Sequence, residues 1–260
     1  IGDDPETILM VISDHGFCNF RRGVNLNTWL KQEGYLVLKS GQETSGDWFA
    51  QVDWEKTRAF TLGLTGIFIN RKGREAKGIV EPGPELDQLC AEIKAKLEKL
   101  TDPATGECVV KEAFLTRQIH GGPYADMAPE ILVGYHRGFR HSWDCATGAV
   151  SKEVFTDNTK SWSGDHCVDP RLVPGVFWCN RKIGVNDPNL LDLAPTALAR
   201  RWDPELSMRA PRNSPPGSQV SSARMLISSG VPRRVKLMFM CARNTISPAS
   251  SDQRSDAVPT

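Results

Sequence analysis

An α/β fold is what this sequence predicts, and three observations carry the prediction. Ile8-Leu9-Met10-Val11-Ile12 is a continuous apolar run, which suits a strand buried on both faces, as in a parallel sheet. From Glu85 onward, Leu86, Leu89, Cys90, Ile93, Leu97 and Leu100 fall on one helical face, and lysines and glutamates fill the other. Further short apolar runs at 65–70, 130–135 and 173–180 are separated by glycine-rich loops and helical patterns.

Taken in order, the opening run ends in Ser13-Asp14-His15-Gly16-Phe17. Ligands in open α/β sheets bind beyond the carboxyl ends of strands, and Asp with His is a reasonable pair for a divalent metal such as zinc. Neighbours along a strand point to opposite faces, so both reach one ion only if the backbone turns, which Gly16 eases. By itself the pair equally suits an Asp capping a turn beside an ordinary loop His. Residues 25–33 read as a helix stopped by Gly34, residues 35–38 as a brief strand, and 40–58 as a polar loop. The strand at 65–70 is followed by a turn at 71–75. Glu81-Pro82-Gly83-Pro84 opens the long helix, which Asp102-Pro103-Ala104-Thr105-Gly106 closes.

Val109-Val110 begins another short element, and a loop at 121–124 precedes the strand at 130–135. Residues 136–165 are irregular and rich in Gly, Ser, Trp and Thr; so long a segment in a compact domain is usually functional. A helix is expected from Asn186-Asp187-Pro188 through Leu198, with a kink or restart near Pro195. Residues 201–260 read as a basic Ser/Pro/Arg-rich tail, mostly disordered, whose apolar islands are Met225-Leu226-Ile227 and 235–240.

A composition of 40% hydrophobic and 24% charged residues belongs to a soluble globular protein, and no apolar run approaches the roughly 20 residues of a membrane span. The net charge of +1 conceals an asymmetry. Residues 201–260 hold nine basic and four acidic side chains, leaving 23 basic and 27 acidic ones in residues 1–200. The tail arginines are spaced and not interleaved with aromatics, so no nucleic-acid partner is expected. Seven cysteines (18, 90, 108, 145, 167, 179 and 241) never stand in Cys-x-x-Cys spacing. They make neither a disulfide framework nor a zinc knuckle, and scattered thiols point to a reducing, cytoplasmic compartment. Ile1 stands only seven residues before a core-type strand, from which sequence missing upstream, with any signal peptide, is expected.

Five ordered motifs make the functional reading specific. Ser13-Asp14-His15-Gly16-Phe17 is similar to the metal-binding signature of the alkaline phosphatase superfamily. Thr65-Gly66-Ile67-Phe68-Ile69-Asn70-Arg71-Lys72-Gly73-Arg74-Glu75, then Gly78-Ile79-Val80-Glu81-Pro82-Gly83, resembles its type I phosphodiesterase/nucleotide pyrophosphatase-like branch of phosphohydrolases and phosphomutases. Gly122-Pro123-Tyr124 with Ala128-Pro129-Glu130, Gly164-Asp165-His166 with Pro174-Gly175-Val176, and Asp192-Leu193-Ala194-Pro195-Thr196 fit the same branch in the same order.

The resemblance implies an alkaline phosphatase-like three-layer α/β sandwich, of which residues 1–200 are the C-terminal portion of the catalytic domain. It implies two divalent ions, zinc or manganese, with Asp14 and His15 holding one and His166 helping to hold the other. A Ser or Thr nucleophile would attack phosphorus in a phosphate ester or nucleotide-type pyrophosphate, and the ions would activate that hydroxyl and steady the leaving oxygen. In the family an early Asp, the nucleophile and an Asp-and-His pair lie upstream of the Ser-Asp-His-Gly motif. Thirteen residues precede Asp14 here, so this chain alone is expected to be inactive or nearly so. Other readings are a phosphomutase or sulfatase on the same fold, or a non-catalytic chain with residual metal binding. The sulfatase Cys-x-Pro-x-Arg signature does not occur in these residues.

Asp165 reads as a helper that bonds a neighbouring backbone or ligand, and Cys167 as a small packed thiol. His120, His136 and His141 read as surface or loop residues, and Asn70, Arg71 and Arg74 as a solvated strand end. Substrate identity, metal identity and oligomeric state have no signature in these residues.

Overall fold

The opening apolar run forms β1 (Thr7–Ile12), with Ile8, Met10 and Ile12 buried and Leu9 and Val11 half-buried. Burial on nearly every residue is what a run without alternation predicts. The structure, a computed structural model, describes residues 7–184, 186, 188–201 and 234–239. It is mixed α/β, with its strands in three sheets.

After the Asp14–His15 corner the chain makes β2 (Cys18–Val24), a strand absent from the sequence reading. Its burial alternates at first, and two arginines and a glycine mask its apolar pattern. Helix α1 (Leu26–Gln32) is capped as expected: the Asn25 side chain accepts from the Thr28 amide. Gly34 ends it at φ +79°, a conformation that favours glycine.

The strand expected at 35–38 does not form. Tyr35 and Leu36 are buried, but the Tyr35 carbonyl accepts from Arg58 and Ala59, and Leu38 makes only an isolated bridge to Val52. The 40–58 loop contains one short 3-10 turn, Asp47–Phe49.

The central sheet is antiparallel. It orders β3 (Ala59–Thr61), β4 (Gly66–Ile69), β6 (Ile131–Tyr135) and β5 (Val110–Leu115) in that sequence across the sheet. Helix α2 (Pro84–Leu97) packs beside β5 and buries Leu86, Leu89, Cys90, Ile93 and Leu97, the predicted face. Proline at its first turn and Lys94 and Lys96 in its last suit the helix termini. Short helix α3 (Thr116–Ile119) follows β5.

The segment read as irregular is largely built. It supplies β7 (Gly138–His141), α4 (Trp143–Ala146), β8 (Phe155–Asp157) and β9 (Gly164–Asp165). β7 runs parallel to β2, while β8 and β9 pair with it antiparallel. These strands are two to four residues long, too short for periodicity to reveal.

β10 (Phe177–Cys179) pairs antiparallel with β1. Helix α5 (Leu190–Arg201) runs through residue 195 without a break; at its start the Asn189 side chain accepts from the Leu191 amide, and the Asp192 carboxylate accepts from the Asn189 amide. β11 (Arg234–Phe239) pairs parallel with β1 over six residues. Within the stretch read as a disordered tail, these residues form a strand, at one of the two apolar islands. The other island and the rest of that tail lie outside the described residues. β1, with Leu193 of α5, forms a small apolar cluster apart from the main core.

Two groups read as exposed are buried or half-buried. Asn70 is fully enclosed and its amide donates to the carbonyls of Trp54, Thr57 and Lys77. Arg74 forks onto Glu130, whose carboxylate also accepts from the Ile69 amide, and Arg71 pairs with Glu130 and Asp126. These arginines tie β4 to the 126–130 segment instead of facing solvent.

His141 is likewise buried, bonded through Nδ1 to the Tyr135 hydroxyl at 3.0 Å, and burial pushes its pKa down to about 3. A buried His with a depressed folded pKa stabilises the fold above its ordinary value near 6.5, and that contribution is lost as pH falls toward 3. His141→Gln is therefore expected to flatten the acid limb of the stability–pH curve between about 6.5 and 3. Urea midpoints measured across that range check this; parallel curves for the two proteins would rule His141 out.

Candidate metal centre

The corner after β1 is held from the far end of the chain. Ser13 donates its amide to the Val176 carbonyl, and the Ser13 hydroxyl accepts from the Val176 amide. Gly16 donates to the Val173 carbonyl. A Cβ on Gly16 would lie 2.9 Å from the Pro174 oxygen, and one on Gly175 would lie 2.7 Å from the Ser13 oxygen. Both glycines are needed for close backbone approach, and Gly16 is not among the residues with positive φ. The turn read at Gly16 therefore depends on contact more than on φ freedom.

A second tie closes the same region. β2 and β9 pair Cys18 with Asp165 and Asn19 with Gly164, which sets His166 beside the corner. The imidazoles of His15 and His166, 151 positions apart in the chain, stack with centroids 4.0 Å apart and planes 7° from parallel. Phe17 meets both rings edge-on, at 5.4 and 5.7 Å. On its other side, His15 Nε2 stands 3.2 Å from Asp14 Oδ2, with Asp14 exposed and His15 partly so.

The tautomer of His15 follows from its other nitrogen. Nδ1 lies 2.9 Å from the Gly16 carbonyl, which can only accept, so Nδ1 carries the hydrogen. In the neutral ring Nε2 is then a lone-pair donor facing a carboxylate oxygen. Two acceptors at 3.2 Å repel unless a proton or a cation lies between them. With bonds of about 2.0–2.2 Å, neighbouring ligand atoms in a tetrahedral zinc site stand about 3.3 Å apart. The separation of this pair fits that edge.

Asp165 bonds neighbouring backbone and faces Arg140. One oxygen accepts from the His166 and Cys167 amides, at 2.7 and 2.9 Å. The other lies 2.8 Å from Nε of Arg140, on β7. Asp165 and Arg140 are 6% and 2% exposed, so this is a buried ion pair. The guanidinium lies over the ring of Phe20, at 5.0 Å, and over that of Trp143, at 4.2 Å.

Asp165, His166 and Cys167 also gather three donor atoms within 4.8 Å of one another, a group that includes neither Asp14 nor His15. Burial, with Asp165 adding to it, pushes the Cys167 thiol up to about 11, so it is protonated near neutral pH.

Two contributors to this region are not among the residues the sequence singles out. Phe17 packs both imidazoles and adjoins the Asp-His-Gly run, so its place was available as a signal. Arg140 had none: it lies 25 positions from Asp165 in the chain, in a segment read as irregular. No family model, no curated protein and no solved structure matches the chain.

Proposed function

We propose that this chain is the metal-carrying portion of a two-metal phosphohydrolase or phosphodiesterase, with an alkaline phosphatase-like sandwich, acting on phosphate esters or nucleotide-type pyrophosphates. The observation that carries the reading is the face-to-face stack of His15 and His166 beside Asp14. Lone pairs of parallel rings lie in parallel planes and do not converge on one ion. The stack therefore favours two ions, one on Asp14 and His15 and one on His166. The order of motifs along the chain supports the same assignment.

Zinc or manganese bound there would neutralise charge on the transferring phosphoryl group. The residues of this chain hold and orient: Gly16 fixes the His15 tautomer, and Asp165 grips the backbone of His166 through two amides. Asp14, His15 and His166 are too few to complete two sites, since a catalytic zinc alone takes three protein ligands. Metal binding without turnover is the expected behaviour.

Calorimetric titration of the 260-residue chain with zinc and with manganese tests this. Two ions per chain are expected, with no hydrolysis of a chromogenic phosphomonoester or phosphodiester. A single site unaffected by His166→Ala would overturn the two-ion assignment. Hydrolysis abolished by His15→Ala would overturn the inactivity.

A further inference from the structure

Of the Asp165-His166-Cys167 group, whose donor atoms lie within 4.8 Å of one another, the two-ion assignment uses only His166 as a ligand. We infer that Cys167 is a second ligand to that ion, bound as a thiolate, which makes this a zinc site in preference to a manganese one. Thiolate is a soft donor that suits zinc, whereas carboxylate, carbonyl and water suit manganese. The thiolate deepens the two-ion reading by naming the metal and adding sulfur to a set otherwise of Asp and His. It rests on that reading for its use in phosphoryl transfer.

One Asp165 oxygen accepts from the amides of both His166 and Cys167, so a single buried carboxylate fixes the backbone of both ligand residues. His166 Nδ1 stands 3.7 Å from that same oxygen. Stacking on His15 engages the face of the His166 ring and leaves its in-plane lone pair for an ion. Neighbouring nitrogen and sulfur ligands on tetrahedral zinc, with bonds of about 2.0 and 2.3 Å, stand about 3.5 Å apart. That edge fits within the span of the group. Cys167 is half-buried and His166 exposed, so an ion reaches both from solvent. Arg140 does not oppose it, because its charge is matched by Asp165. The two amides and the guanidinium already take three of the roughly four acceptor positions of the Asp165 carboxylate, which leaves the imidazole and the thiol as the freer donors. On binding, the Cys167 S–H bond breaks, sulfur donates its electron pair to zinc, and the proton passes to solvent.

Cobalt(II) is the probe, since a thiolate on cobalt gives an intense near-ultraviolet charge-transfer band that imidazole and carboxylate ligands lack. The full chain, kept reduced with a phosphine, is titrated with cobalt in the spectrophotometer and with zinc and manganese in the calorimeter. The band is expected in the wild type and in His15→Ala, which removes only the other ion. It should vanish in Cys167→Ser and weaken in His166→Ala, while Cys108→Ser, which removes an exposed thiol elsewhere, should leave it unchanged. Cys167→Ser should also weaken zinc at this site about tenfold or more, and manganese less. If thermal melts in EDTA show that Cys167→Ser does not fold, X-ray absorption of the zinc-loaded wild type decides, with a sulfur neighbour expected at about 2.3 Å.

Ions bound without a cobalt–thiolate band, or zinc without a sulfur neighbour, would overturn the thiolate and leave the two-ion reading standing. A band with a single ion per chain would sustain the thiolate and overturn the second ion. No metal bound at all would overturn both. A band lost in Cys108→Ser and kept in Cys167→Ser would mark an adventitious surface thiol and overturn the assignment to Cys167.

Discussion

His15→Ala is expected to remove one ion and with it most of the stabilisation that zinc or manganese confers. A ligand that binds only the folded state at 100 times its Kd adds about 2.7 kcal/mol. For a chain of this size that corresponds to a rise in Tm of roughly 5–10 °C. Loss of a residue that merely supports a metal ligand weakens affinity about 10–100-fold, so loss of the imidazole itself should exceed that range. The ring packs against His166 and Phe17 but is partly exposed, so the substitution should leave the metal-free fold close to wild type. Thermal melts with and without metal make the comparison, with His120→Ala, an exposed histidine, as the control. An unchanged metal-induced shift in His15→Ala would remove the main support for the metal centre.

Arg140→Ala carries the largest expected loss of fold stability, about 3–5 kcal/mol, because it leaves the Asp165 carboxylate buried and uncompensated. The guanidinium's contacts with Phe20 and Trp143 go as well. Two backbone amides still reach the other Asp165 oxygen, so the lower half of the range is favoured. Arg140→Lys should recover only part of the loss, since an ammonium is a point charge and lacks the planar face that meets the two rings. Urea denaturation gives the number. A loss below about 1 kcal/mol would mean that the pair is no stronger than a surface ion pair. Because Asp165 grips the His166 backbone, the same variant should also weaken metal binding, by an effect passed through position and not through ligation.

Much of the fold was legible in the sequence where elements are long or sharply punctuated. α2 combines an apolar face with proline at its start, and β1 is an unbroken apolar run; each forms close to where the pattern put it. The three candidate ligands Asp14, His15 and His166 stand in local motifs, and His15 lies against each of the other two. What failed were short strands and polar residues with distant partners. β2 carries Arg21, Arg22 and Gly23 in its second half, so its pattern does not read as a strand. Asn70, Arg74 and His141 look like surface residues because the carbonyls, carboxylate and hydroxyl that they bond come from elsewhere in the chain.

The Asp14–His15 corner shows where the division falls. By itself the sequence determined the chemistry available at that corner: a carboxylate and an imidazole at the end of a buried strand, followed by a glycine. Residue types and strand-end placement are local properties. Whether those groups meet anything depended on the tertiary structure. The β2–β9 pairing and the 173–176 segment, closed against Ser13 and Gly16, set His166 on His15, and the buried Arg140–Asp165 pair holds it there. The stack brings together residues 151 positions apart, and no local preference encodes a contact of that span. It follows from backbone approach and from burial of a charge that must find its partner.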